Sequence, residues 1–127
     1  MTPFTAILRD SDQELRIDDL VSFRSRDASG AFSLQARHAD FLTLTESGLS
    51  QLTRSQGAQF LAATGGLLEF EKGVLYFSTR RFFIDADANI IQQRLMEWLA
   101  NEKERRASSH VHLQQLEHEL MRRLSRA

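Results

Sequence analysis

Four sets of residues in this chain have types and spacings that could do chemistry. His38 and Asp40 stand two apart, so on a strand both side chains point to one face, and nearby Ser33 could complete a hydrolytic set. No Gly-x-Ser-x-Gly turn raises a serine for attack, so the plainer reading is a surface histidine on a sheet edge or loop. His110 and His112 are also two apart. On a helix that spacing turns them about 200° from each other, whereas zinc-binding helices pair histidines at i and i+4. Gly65-Gly66 precedes neither a Lys-Ser/Thr pair nor a helix start, so it reads as a tight turn or bulge rather than a phosphate loop. Arg80-Arg81-Phe82-Phe83 mixes cations with rings, a pattern that suits nucleic acid. Its ordinary role is a strand end that uses charge against unwanted pairing. None of the four makes an enzyme: the expectation is a protein with no catalytic residues, no metal and no cofactor.

Composition narrows the class further. At 127 residues and a net charge of −1, from 16 basic and 17 acidic side chains, the chain has too little basic excess for nucleic acid as a main ligand. It has no cysteine, which removes disulfides, thiolate metal sites and a thiol nucleophile. No apolar run approaches the roughly 20 residues that cross a bilayer. The opening Met-Thr-Pro-Phe-Thr has no basic stretch followed by an apolar one, so no signal peptide or membrane insertion is expected.

The elements that would hold these residues fall into two parts. All six Gly, the only Pro and all nine Phe lie before residue 88, and Trp98 is the one aromatic residue after it. Residues 1–87 carry 9 basic and 12 acidic side chains, and 88–127 carry 7 and 5, so the tail is expected to face a different partner. In the first part, apolar residues alternate over 4–8 and at Val21 and Phe23. Further apolar runs follow at 41–44, 60–63, 67–70 and 74–77. Turn signals separate them at Asp10-Ser11-Asp12, Ser29-Gly30, Ser47-Gly48, Gln56-Gly57, Gly65-Gly66 and Lys72-Gly73. Short strands at this spacing predict a β-sandwich of two antiparallel sheets over 1–87. Over 88–127 the pattern turns helical, with Asp85 and Asp87 as N-cap candidates. Ile91, Leu95, Trp98 and Leu99 form one apolar stripe; Leu113, Leu116, Leu120 and Leu124 form another. The polar segment 102–109 between them predicts a reversal and a C-terminal helical hairpin, with one continuous helix as the alternative.

Two stretches carry a family resemblance. Ala28-Ser29-Gly30-Ala31-Phe32-Ser33-Leu34-Gln35-Ala36-Arg37-His38-Ala39-Asp40-Phe41-Leu42-Thr43 resembles the signature loop and strand of the epsilon subunit of F-type ATP synthases. Ala63-Thr64-Gly65-Gly66-Leu67-Leu68-Glu69-Phe70, followed by Val74-Leu75-Tyr76-Phe77, resembles that family's Gly-Gly-x-x-Glu-Val hairpin and next strand. The family's usual acidic residue, second glycine and Pro-Gly are here Ala31, Ser33 and Ala36-Arg37. Arg37 before His38, the run Ser78-Thr79-Arg80, and Arg122-Arg123 resemble the alternate, N-type branch, which is associated with sodium in place of protons.

The resemblance implies a non-catalytic central-stalk subunit that links the gamma subunit to the membrane c-ring. It implies a place on the cytoplasmic face of the bacterial inner membrane, held there by the complex. By analogy Ser29, Gly30, Ala31, Phe32 and Ser33 would contact the ring, and Arg37, His38 and Phe41 would contact gamma. The tail would be a regulatory arm inhibiting hydrolysis, with Arg122, Arg123 and Arg126 meeting the catalytic alpha and beta subunits. Relatives that bind ATP use an Ile/Leu-Asp-x-x-Arg-Ala motif. Here the matching Ile90-Ile91-Gln92-Gln93-Arg94-Leu95 keeps the arginine but has Ile91 for the carboxylate, so no ATP binding is expected. The competing reading is an unrelated β-sandwich interaction module that dimerises through the leucines of its tail.

Overall fold

The computed structural model describes residues 2–124, with the backbone alone for 109–112. Nine strands and one helix follow in order: β1 Phe4–Arg9, β2 Glu14–Asp27, β3 Gly30–Leu34, β4 Phe41–Leu44, β5 Gly48–Arg54, β6 Gly57–Ala63, β7 Gly66–Glu71, β8 Val74–Thr79, β9 Phe82–Asp85 and α1 Ala88–Leu124. The turn signals named above fall between strands or at strand starts. A sheet domain followed by a helical segment is the fold class the sequence predicts.

The strands form one hydrogen-bonded path, β4-β7-β8-β1-β2-β5-β6-β9, with β3 attached to β2. The path is open. It nevertheless encloses a single core in which Phe4, Leu8, Phe23, Leu52, Leu61, Phe70, Phe77 and Phe82 all participate. Side chains from both ends of one sheet can share a core only if the sheet folds over itself, giving two layers.

The 14-residue β2 makes this possible. Its first half pairs with β1, its second with β3 and β5. Two register shifts bend it, one against β1 and one between Leu20 and Ser22 against β5, as bulges do. The shifts break strict alternation, so Ile17, Leu20 and Phe23, three apart, all reach the core. One pairing also departs from the all-antiparallel expectation: β1 and β8 are parallel. They are distant in sequence, so the long connection a parallel pair needs is already there.

The chain divides into two compact units at Leu95/Met96. In the first, Asp87 caps α1: its Oδ1 accepts the Asn89 N–H at 3.0 Å, satisfying a free donor of the first turn. Ile91 and Leu95 are buried with Ala62, against Phe60 and Phe83. The expected hairpin is replaced by its alternative, since α1 is a single helix of 37 residues, Ala88–Leu124. The 102–109 segment has no Gly or Pro and an Arg105–Glu102 pair at 3.3 Å along the helix. Leaving helical geometry there would forfeit backbone hydrogen bonds with nothing local to replace them. Leu113, Leu116, Leu120, Met121 and Leu124 are all exposed.

Candidate functional site

The region that sequence reasoning singled out is built from the β2–β3 turn, β3, the turn after it and β4. Asp27 organises the start. Its Oδ1 accepts the Ser29 N–H at 2.9 Å and the Ser29 hydroxyl at 2.6 Å, and its Oδ2 accepts the Thr43 hydroxyl at 2.7 Å. The Ser29 hydroxyl, then that of Thr43, hold the Asp27 carboxyl below the usual carboxylate range, because both bond its charged form. The turn is thereby tied to β4. Gly30 has φ +123 and open space where a Cβ would stand, so glycine is required there by backbone geometry rather than by packing.

Along β3 the residues expected at the ring separate by face. Ala31 and Ser33 are exposed and Gly30 is half-exposed, whereas Phe32 packs against the core. Its ring lies 5.2 Å from that of Phe41. Phe41 in turn meets His38 at 5.7 Å, and His38 meets Phe70 at 6.1 Å, both edge to face. Phe32, Phe41 and His38 are therefore brought together as one aromatic chain that stiffens this end. Arg37 and His38 sit in an exposed turn closed by the His38 N–H on the Gln35 carbonyl at 2.9 Å.

The hydrolytic reading of His38 fails on this geometry. Residues 35–40 form turn and loop, so strand alternation does not set His38 and Asp40 on one face. His38 Nδ1 donates to the Ala39 carbonyl at 2.7 Å, and Asp40 Oδ1 accepts the Lys72 N–H at 3.1 Å. In a catalytic triad that imidazole proton would point at the carboxylate.

The other candidates resolve structurally. A Cβ on Gly66 would run into the Ser78 carbonyl, so Gly65-Gly66 serves close backbone approach at the start of β7. Arg81 pairs with Asp12 at 2.8 Å and lies 5.1 Å over the Phe83 ring, while Phe82 is buried. Asp10 accepts the Phe82 N–H at 3.1 Å. Burial alone would raise the Asp10 carboxyl, but bonds from Gln13, Asp12 and Phe82 outweigh it and hold it low. Arg122 and Arg123 both pair with Glu119, at 2.9 and 3.3 Å. Arg126 lies outside the described residues, as do the side chains of His110 and His112. Among the described residues, no cluster of three or more metal-ligating side chains occurs, and no helix is long and apolar enough to cross a membrane.

Sequence reasoning missed the most exposed apolar surface of the first unit. Leu42 (66% exposed) and Leu44 (70%) on β4, Leu67 on β7 and Tyr76 on β8 all point away from the core. Leu44 stands opposite Leu67, Leu42 opposite Glu69, and Glu69 opposite Tyr76, which makes one continuous face. The signal was present: Phe41-Leu42, Leu67-Leu68 and Leu75-Tyr76 are adjacent apolar pairs, and in a strand one member of each must face outward.

No family model matches the chain. It is 37% identical over 75 residues to the ATP synthase epsilon chain 2 of Cereibacter sphaeroides, a match covering 58% of this chain and 47% of that protein. The chain thus spans about half the length of that curated relative. Among solved structures, it matches a chain of the Euglena gracilis mitochondrial ATP synthase (OSCP/F1/c-ring, rotational state 1). That match has a TM-score of 0.61 and 16% identity over 79% of this chain and 66% of that one. It also matches a chain of the Tetrahymena thermophila mitochondrial ATP synthase central stalk and c-ring, with a TM-score of 0.55 and 14% identity over 62% and 64%. The resemblance to an ATP synthase epsilon chain is borne out by the curated relative, and the two structures show a shared fold.

Proposed function

We propose that this chain is the epsilon subunit of a rotary F-type ATP synthase, a non-catalytic part of the central stalk that joins gamma to the c-ring. It would work at the cytoplasmic face of a bacterial inner membrane, and the N-type features at Arg37, Ser78-Thr79-Arg80 and Arg122-Arg123 belong to the same proposal. The observation that carries it is the exposed Leu42, Leu44, Leu67 and Tyr76 face on a stiff two-layer body. A torque-bearing joint needs rigidity and an interface with an apolar centre, and burying one such side chain is worth about 1.5–3 kcal/mol. That face would meet gamma, and Arg37 and His38, in the exposed turn before β4, would add polar contacts to it. The outward Ser29, Gly30, Ala31 and Ser33 would meet the ring; Phe32 would support them from inside.

Co-expression with gamma is the test. The chain should co-elute with gamma, and Leu42→Glu/Leu44→Glu should abolish co-elution while the far-ultraviolet circular dichroism stays native. Unchanged recovery of the variant overturns the gamma face, and no co-elution of the parent overturns the assignment. Gly30→Val should weaken recovery with the ring. The exposed leucines of α1 suit an arm that inhibits hydrolysis, so deleting 107–127 should raise the ATPase rate of the assembled complex. The same leucines also favour a second reading, a homodimer through α1; sedimentation of the isolated chain as a monomer counts against it.

A further inference from the structure

We propose a second docking surface on the outer face of the β2–β5 region, centred on Arg24 and Arg26, whose occupant is an acidic amphipathic helix of another polypeptide. The inference does not rest on the rotor reading, although its surface adjoins the proposed ring contact, since Arg26 stands opposite Ala31 and Arg24 opposite Ser33. Four other arginines of the first unit are held by carboxylates: Arg9 by Glu14, Arg16 by Asp18, Arg54 by Asp19 and Arg81 by Asp12. Arg24 and Arg26 are exposed, and among the described residues neither has a carboxylate within ion-pair distance. They are unpaired although acidic side chains outnumber basic ones over residues 1–87.

Buried Ser25 separates them, so both guanidiniums project from one face. Two residues along a strand span about 6.7 Å; residues one turn apart on a helix span about 6 Å. Two carboxylates at i and i+4 therefore match the two guanidiniums, whose planar forks donate bidentately to carboxylate oxygens. The edges of β2 are already taken, by β3 on one side and β5 on the other, so a partner cannot add as a strand and must lie on the face. The groove there is lined by both arginines together with Ala31, Leu49, Gln51 and Phe60. Half-exposed Leu49, with the open part of the Phe60 ring that also borders the Ile91 cluster, gives an apolar floor for the helix stripe between the carboxylates.

The test uses the full chain and a labelled synthetic helix of about five turns, with leucines on one stripe flanked by glutamates one turn apart. Fluorescence anisotropy should show saturable binding that weakens as salt is raised. Arg24→Glu should bind about tenfold more weakly, and Arg24→Glu/Arg26→Glu should not bind. Arg24→Gln/Arg26→Gln should reproduce the loss with an unchanged melting curve, and Arg9→Glu should bind as the parent does. The proposal is overturned by equal binding to the glutamine variant, or by equal binding of a peptide of the same charge with its leucines scattered. It is also overturned if the parent shows no saturable binding, or if it binds anionic phosphatidylglycerol vesicles but not the peptide.

Discussion

Replacing Ile91 by alanine probes the claim that the first two turns of α1 belong to the β-domain. Ile91 is fully buried with Ala62 and Leu95, against Phe60 and Phe83. The substitution removes three buried carbon groups at about 0.8 kcal/mol each, or roughly 2.4 kcal/mol of transfer free energy. A residual cavity adds to that, and measured Ile→Ala costs run from about 2 to 5 kcal/mol. The cluster is small and bordered by partly exposed rings, so it can collapse, and a loss of about 2–3 kcal/mol is expected. For a domain of this size each kcal/mol lowers the melting temperature by about 4–8 °C. Thermal scans by circular dichroism should therefore show Ile91→Ala unfolding some 10–20 °C early. Leu116→Ala is the control: Leu116 is 62% exposed, and such changes usually stay within about 0.5 kcal/mol. Equal melting of Ile91→Ala and the parent would refute the packing argument. Equal destabilisation by both variants would mean that burial does not decide which part of α1 is structural.

Other outcomes follow from the same structure. Gly66→Ala forces a Cβ against the Ser78 carbonyl and should cost about 1–3 kcal/mol by overpacking, read as a lower urea midpoint. Gly30→Ala meets open space but a φ of +123, so it should cost about 1–3 kcal/mol of backbone strain without any packing defect. Asp10, Asp19 and Asp27 are all held below the ordinary carboxylate range. Their stabilisation is complete above the unfolded-state value and is lost as pH falls through the lower folded-state values. Urea midpoints should thus drop on acidification, less steeply in Asp10→Asn, Asp19→Asn and Asp27→Asn. Calorimetry with millimolar ATP should register no binding to the full chain, because Ile91, at the position where the resemblance implies a carboxylate for ATP, is apolar and buried against Ala62 and Leu95; measurable heat of binding would overturn this.

Several features were legible because they are local. Alternation set the inward face of β1, where Phe4, Ala6 and Leu8 are buried as the pattern requires. Turn residues marked the strand ends, and Asp87 could be read as a cap because capping involves only the next few residues. β3 and β5 were missed, and β9 was read only as a strand end at Phe82-Phe83. Ser50-Gln51-Leu52-Thr53 and Phe82-Phe83-Ile84-Asp85 are too mixed or too uniform for period 2 to show, and become strands only because β2 and β6 offer them partners.

By itself, the amino-acid sequence determined the order of a strand-rich body and a helical tail, the turns between strands and the inward residues of regular strands, all consequences of nearest-neighbour stereochemistry. Tertiary structure alone decided the rest. It brought β8 parallel to β1, bent β2 so that one sheet encloses one core, kept Leu42 and Leu44 in solvent while Phe41 packs inward, and left Arg24 and Arg26 without the carboxylates that other arginines found. Burial and charge pairing depend on which distant segments arrive beside a residue, and no local pattern encodes that.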